Sequence, residues 1–72
     1  MAANIHVITG KKGGWDVKRD GAVKASGHFD TKDEAIEFAE KEGQRYNVEV
    51  FIHNEDGRIE KKESFGKNFY PG

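Results

Sequence analysis

The chain of 72 residues has three histidines, His6, His28 and His53, and no cysteine. Metal coordination or proton transfer near neutral pH would therefore have to begin with imidazole. Three imidazoles with an open fourth position can hold a catalytic zinc, provided their nitrogens converge to about 2 Å from the ion. No His-x-His or His-x-x-x-His spacing supplies two ligands from one element, so the expectation is no metal site and no cofactor. Ser26 and His28 lie two apart and would share one face of a strand, but no third residue is placed to orient them and no oxyanion loop is recognisable. Gly10-Lys11-Lys12-Gly13-Gly14 has the composition of a phosphate loop. A phosphate loop, however, needs Gly-Lys-Ser/Thr opening a helix, and here the alternating stretch Trp15-Asp16-Val17-Lys18-Arg19 follows. So short a chain also has little material for a ligand pocket of ordinary size. The reading is a protein that is not an enzyme and has no small-molecule substrate.

Charge leaves a second possibility. Twelve basic and thirteen acidic side chains give a formal net charge of −1, unevenly spread: the first 28 residues carry +3, residues 29–46 carry −3 and the remainder −1. Lys11, Lys12, Lys18 and Lys24 all lie in the basic segment and could contact nucleic-acid phosphates, with Phe51 available to stack on a base. The bland alternative is that lysines near turns are simply solvated.

Any such side chain has to be positioned by short elements. Ile5, Val7 and Ile8 mark a first strand over 4–9, and residues 15–19 a second. Asp20-Gly21 predicts a two-residue type I′ hairpin. Val23, Ala25, Gly27 and Phe29 then alternate with polar residues as a third strand. Thr31 with Glu34 three positions later forms a capping box, and Ala35, Ile36, Ala39, Gly43 and Tyr46 recur as the apolar stripe of a helix over 31–46. Asn47 is expected to take the left-handed terminal position. Residues 48–53 alternate again, Asn54-Glu55-Asp56-Gly57 reads as a type I turn closed by glycine, and residues 58–65 form a weakly patterned, charged edge strand.

The predicted fold is α+β, a two-layer sandwich of order β-β-β-α-β-β with a mostly antiparallel sheet and one helix on one face. Residues 1–66 are read as a single domain and 67–72 as a short tail, in which Phe69 and Tyr70 stand out. The expected core is Ile5, Val7, Trp15, Val17, Val23, Ala25, Phe29, Ile36, Ala39, Tyr46, Val48, Val50, Ile52 and Ile59. Strand parity then puts His6, Ile8, Asp16, Lys18, Lys24, Ser26, His28, Glu49, Phe51 and His53 on the other side. One helix covers one face, so these residues form an open sheet surface.

Several of these blocks, in this order and spacing, resemble a family. Gly14-Trp15-Asp16-Val17-Lys18 with Gly21, Thr31 to Ile36, Ile52-His53-Asn54-Glu55-Asp56-Gly57-Arg58-Ile59, Ser64-Phe65-Gly66 and Pro71-Gly72 are similar to the small bacterial proteins catalogued as domain of unknown function 2188. The resemblance covers nearly the whole chain. It implies alanine where Gly43 stands and an acidic-proline-aromatic run where Asn68-Phe69-Tyr70 stands. It carries no activity, so it supports the fold alone.

Without an apolar run of about 20 residues or a signal-peptide pattern, the chain is expected to be cytoplasmic and to have no membrane partner. A core this small gains from further burial. The primary expectation is a protein-interaction module, pairing with itself or another protein through Ile8, His6, His28, Phe51 and His53 on the open face or through a sheet edge. The alternative is a weak, sequence-nonspecific nucleic-acid binder using the four lysines.

Overall fold

The computed structural model describes residues 3–66. Its elements are β1 (Ile5–Thr9), β2 (Trp15–Arg19), β3 (Gly27–Phe29), α1 (Lys32–Tyr46), β4 (Glu49–His53) and β5 (Ile59–Ser64). The strands form one mixed sheet of order β3-β2-β1-β4-β5. Three of its pairings are antiparallel, and β1 pairs β4 in parallel. A parallel neighbour needs a crossover too long for a hairpin, and α1 lies within that connection. The fold is therefore α+β with a single helix, as the periodicities predict.

The helix begins and ends where its terminal residues dictate. Thr31 has extended backbone and its hydroxyl accepts the Glu34 N–H at 3.2 Å. The same hydroxyl donates to the Glu34 carboxylate at 3.1 Å, so the box closes between the two side chains. At the other end Asn47 is left-handed (φ 56°), and the amides of Asn47 and Val48 both donate to the Gly43 carbonyl. The buried helical residues are Ala35, Ala39 and Gly43, at four-residue spacing on one face. They close over Ile5, Val7 and Val17 of the first two strands and Val50 and Ile52 of β4, with Val48 beside them. Trp15, Phe29, Ile36, Phe38 and Phe65 pack around this cluster half-buried. Each fully buried aliphatic side chain contributes about 1.5–3 kcal/mol of transfer free energy.

Four expected core positions lie elsewhere. Val23 is 91% exposed and Ala25 is exposed, because β3 spans only Gly27–Phe29. The cause is the turn before it. The Ala22 amide donates to the Arg19 carbonyl at 3.0 Å, but only Gly21 of the two central residues has positive φ (77°). A type I′ turn requires it at both, and a turn with positive φ at the second position alone does not match the strand twist and splays the strands it joins. The chain therefore swings out over residues 22–26, taking Lys24 with it, and rejoins where the Ser26 amide donates to the Val17 carbonyl at 2.6 Å. Ile59 is 57% exposed. A register shift at Ile52/His53 pairs Ile52 with Lys61 but His53 with Ile59, and the extra residue moves Ile59 to the face away from the helix. Tyr46 is 37% exposed and sits between two cations, with the Arg19 guanidinium 4.2 Å and that of Arg45 5.4 Å from the ring centroid. Phe69 and Tyr70 lie outside the described residues.

On the helix-covered side, β5 presents charge where the other strands present aliphatics. Glu63 is cross-strand from Val50 and bonds Lys61 through Oε2 at 3.2 Å. Its Oε1 is buried without a conventional partner. Glu40 of α1 faces it, and hydrogen bonding to Glu63, helped by burial, raises the Glu40 carboxyl above the usual carboxylate range. A protonated Glu40 is the donor that Glu63 Oε1 requires.

Two consequences are measurable. A Cβ at Gly43 would stand 2.6 Å from Val50 Cγ2 and 2.7 Å from Phe65 Cδ2. Overpacking of this kind costs about 1–3 kcal/mol, more than the roughly 0.5–1 kcal/mol that alanine gains in a helix, so urea unfolding of Gly43→Ala is expected to show a net loss of stability. The raised Glu40 carboxyl means that the folded chain holds this proton more tightly than the unfolded chain. That contribution is complete below the unfolded value and is lost as pH rises through the folded one. Glu40→Gln supplies a permanent donor, so it should be more stable than the parent at neutral pH and lose less stability as pH is raised from about 4.5.

Candidate functional site

Cross-strand pairing assembles the face opposite α1 from two rows. His6 at the centre of β1 is opposite Lys18 on β2 and Phe51 on β4, and Phe51 is opposite Lys62 on β5. Two residues further along β1, Ile8 is opposite Asp16, which is opposite His28 on β3. None of these residues is covered by the helix, because alternate residues of each strand, such as Ile5, Val7 and Val17, turn towards it.

The central row is aromatic. The His6 ring stacks on Phe51, with centroids 5.2 Å apart and planes 18° from parallel. His53 lies on the other flank, its centroid 5.2 Å from that of His6. A chain of hydrogen bonds crosses the face here. Asp20 Oδ1 is 2.5 Å from His6 Nε2, His6 Nδ1 is 3.0 Å from His53 Nε2, and His53 Nδ1 is 3.2 Å from the Gly57 carbonyl. It joins the turn after β2 to the turn before β5 through the two adjacent parallel strands. Both turns are themselves fixed: the Asp20 amide donates to the Asn4 carbonyl at 2.9 Å, and the Asn54 side chain accepts the amides of Asp56 and Arg58.

His28 stands apart. Its Nδ1 is 2.5 Å from Asp16 Oδ1, and the ring leans over the β1–β2 turn. There, Gly14 (φ 71°) has no room for a side chain: a Cβ would meet the Phe29 carbonyl at 2.6 Å and the His28 ring at 3.0 Å. The three histidines thus resolve into a pair and a singleton, each tied to its own aspartate. Among the described residues no three histidine, aspartate or glutamate side chains converge as metal ligands. His6 and His53 face one another, but Asp20 binds the far nitrogen of His6.

The four lysines do not form one patch. Lys11 and Lys12 rim a hollow of about 360 Å³ with Asp16 and His28. Lys24 is in the 22–26 loop, beyond the opposite end of β2. Lys18 lies between, and the carboxylates Asp16 and Asp20 flank it in sequence.

Sequence reasoning missed Asp20, Lys62 and Ile59 as members of this face. Asp20 is absorbed into the reading of Asp20-Gly21 as turn residues, although it shares the parity of Asp16 and Lys18. Lys62 and Ile59 are hidden by the weak pattern of β5, whose phase changes at the bulge.

Comparison with known proteins matches the chain to others without an assigned role. No solved structure matches it. The uncharacterised protein YdaT of Bacillus subtilis is 46% identical over 57 residues, which are 79% of this chain and 37% of that protein. The chain therefore spans little more than a third of the length of this relative. No helix among the described residues is long and apolar enough to cross a membrane. A family model described as an uncharacterised protein conserved in bacteria (DUF2188) matches residues 5–65, the whole of the sheet and helix, and the chain belongs to that family.

Proposed function

We propose that this chain is a non-enzymatic interaction module of the cytoplasm, and that it pairs with a second copy of itself through the open face of the sheet. The observation that carries this reading is the stacked His6–Phe51 pair at the centre of that face, with Ile8 and Ile59 nearby. Such a strip, rimmed by polar groups, is the composition of an association surface. The rim holds both signs, Lys18 and Lys62 against Asp16, Asp20 and Glu49, so a two-fold copy can set unlike charges opposite one another. The sheet edges are poorer candidates. β3 has three residues, and β5 carries Glu60, Lys61, Lys62 and Glu63 in succession, which discourages edge pairing.

Nucleic-acid binding by Lys11, Lys12, Lys18 and Lys24 is the lesser reading. Phosphate contacts act together when they track one backbone, and here carboxylates alternate with the lysines along β2.

Sedimentation velocity tests the proposal. The parent chain is expected to dimerise and Phe51→Asp to stay monomeric with an unchanged far-ultraviolet circular dichroism spectrum. A parent that remains monomeric at about 1 mM, a limit equivalent to about 4 kcal/mol of association, would refute it. Salt-sensitive amide shifts on adding oligonucleotides at low ionic strength would favour the lysines instead.

A further inference from the structure

We infer that His6 and His53 share one proton beyond the single N–H that each neutral ring carries, making the pair one positive charge at the centre of the open face. The count follows from what each partner can do. The Gly57 carbonyl only accepts, so His53 Nδ1 carries hydrogen. The ionised Asp20 carboxylate only accepts, so His6 Nε2 carries hydrogen. Between His6 Nδ1 and His53 Nε2, 3.0 Å apart, exactly one hydrogen must lie: two bare lone pairs repel, and two N–H groups collide. Three N–H hydrogens on two imidazoles amount to one net positive charge. Placing the Asp20-side proton on the carboxyl preserves the count, but a carboxylate holds a proton far less tightly than an imidazole does.

The surroundings accommodate that charge. Asp20 is in contact with it, and the Phe51 ring face lies against His6. The other charged or titratable groups on the same side are Lys18 and Asp16 of β2, His28 of β3, Glu49 of β4 and Lys62 of β5. Helix α1 packs on the opposite side. With His28 neutral, two lysines and the histidine pair balance Asp16, Asp20 and Glu49, leaving the face without net charge. Removing the shared proton makes it negative and breaks one bond of the chain. Adding a further proton breaks the bond between the histidines. The whole chain therefore exists only between two titration steps, which belong to the pair and to neither ring alone.

The proton count stands independently of self-association; its consequence for association rests on the proposed dimer. If two copies meet through this face, a neutral face pairs with itself and a negative one repels its copy, so dimerisation should weaken as pH rises through the upper step.

Histidine ¹⁵N spectra of the full chain across pH test the count. Between the steps His53 is expected to read as the Nδ1–H form and His6 as the imidazolium, with two separated steps for the pair. Asp20→Asn gives a sharper contrast. An asparagine amide donates to His6 Nε2, so every bond of the chain forms without the extra proton, and His6 should become a neutral Nδ1–H ring with the upper step gone. The inference is overturned if both rings of the parent are neutral at about pH 6, below the ordinary histidine value, or if they titrate as independent single groups. Sedimentation over the same pH range separates the two claims. Two-step spectra with pH-indifferent dimers overturn the coupling alone, and two-step spectra with monomers throughout overturn the dimer and leave the proton count standing.

Discussion

How closely the helix approaches the sheet governs the packing of every other element. Ala35, Ala39 and Gly43 form the contact stripe of α1 and are buried, while the strands beneath supply branched aliphatics. Small residues above and large ones below bring the layers together without voids, and dense packing makes such an interface sensitive to a single methyl group. At Gly43 that limit is reached, since Val50 and Phe65 occupy the space a side chain would need. A helix of larger residues would stand further off and leave Ile5, Val7 and Val17 incompletely covered.

One helix seals one side, so the chemistry of the other side is free to be polar. What the fold builds there is a set of side-chain bridges. Asp16 holds His28, Asp20 holds His6, and His6 meets His53, which reaches the β4–β5 turn. These bonds run across the strands and link turns that the backbone ladders leave independent. Half-buried hydrogen bonds of charged groups are worth more than those of fully solvated ones, and the bridges rest on a sheet whose other face is a dry core. The same two-sidedness explains the failure of β5 to continue the aliphatic pattern. At the edge of the sheet, Glu63 and Lys61 occupy helix-side positions and settle their charge with each other and with Glu40.

Legibility in the sequence followed the range of the interactions. The helix was readable to within a residue because its caps are local: the Thr31 hydroxyl, the Glu34 amide and the left-handed Asn47 lie within a few residues of the groups they satisfy. The Asn54 to Gly57 turn was readable for the same reason, as the Asn54 side chain bonds amides two and four residues on. The Asp20-Gly21 turn failed because Asp20 is held from a distance, its amide by Asn4 and its carboxylate by His6. Those contacts outrank the dipeptide's preference, and Val23 and Ala25 leave the sheet as a result. Ile59 failed because one extra residue opposite β4 reverses strand parity, which no periodicity within β5 itself reveals. Tyr46 failed because the guanidinium of Arg19, on β2, offers its ring a partner at the surface.

Side-chain pattern was enough to locate the strand and helix segments other than β3, the helix ends, and the separation of an aliphatic face from one bearing histidines, lysines and Phe51. Each of these depends on side-chain alternation or on contacts a few residues long. The spatial order β3-β2-β1-β4-β5, and with it which histidines meet, came from long-range strand pairing. His6 and His53 are 47 positions apart and become neighbours because β4 returns parallel to β1, whereas His28 is carried two strands away from β1 to the sheet edge. Pairing between strands is a choice among long-range closures, and no local pattern ranks them.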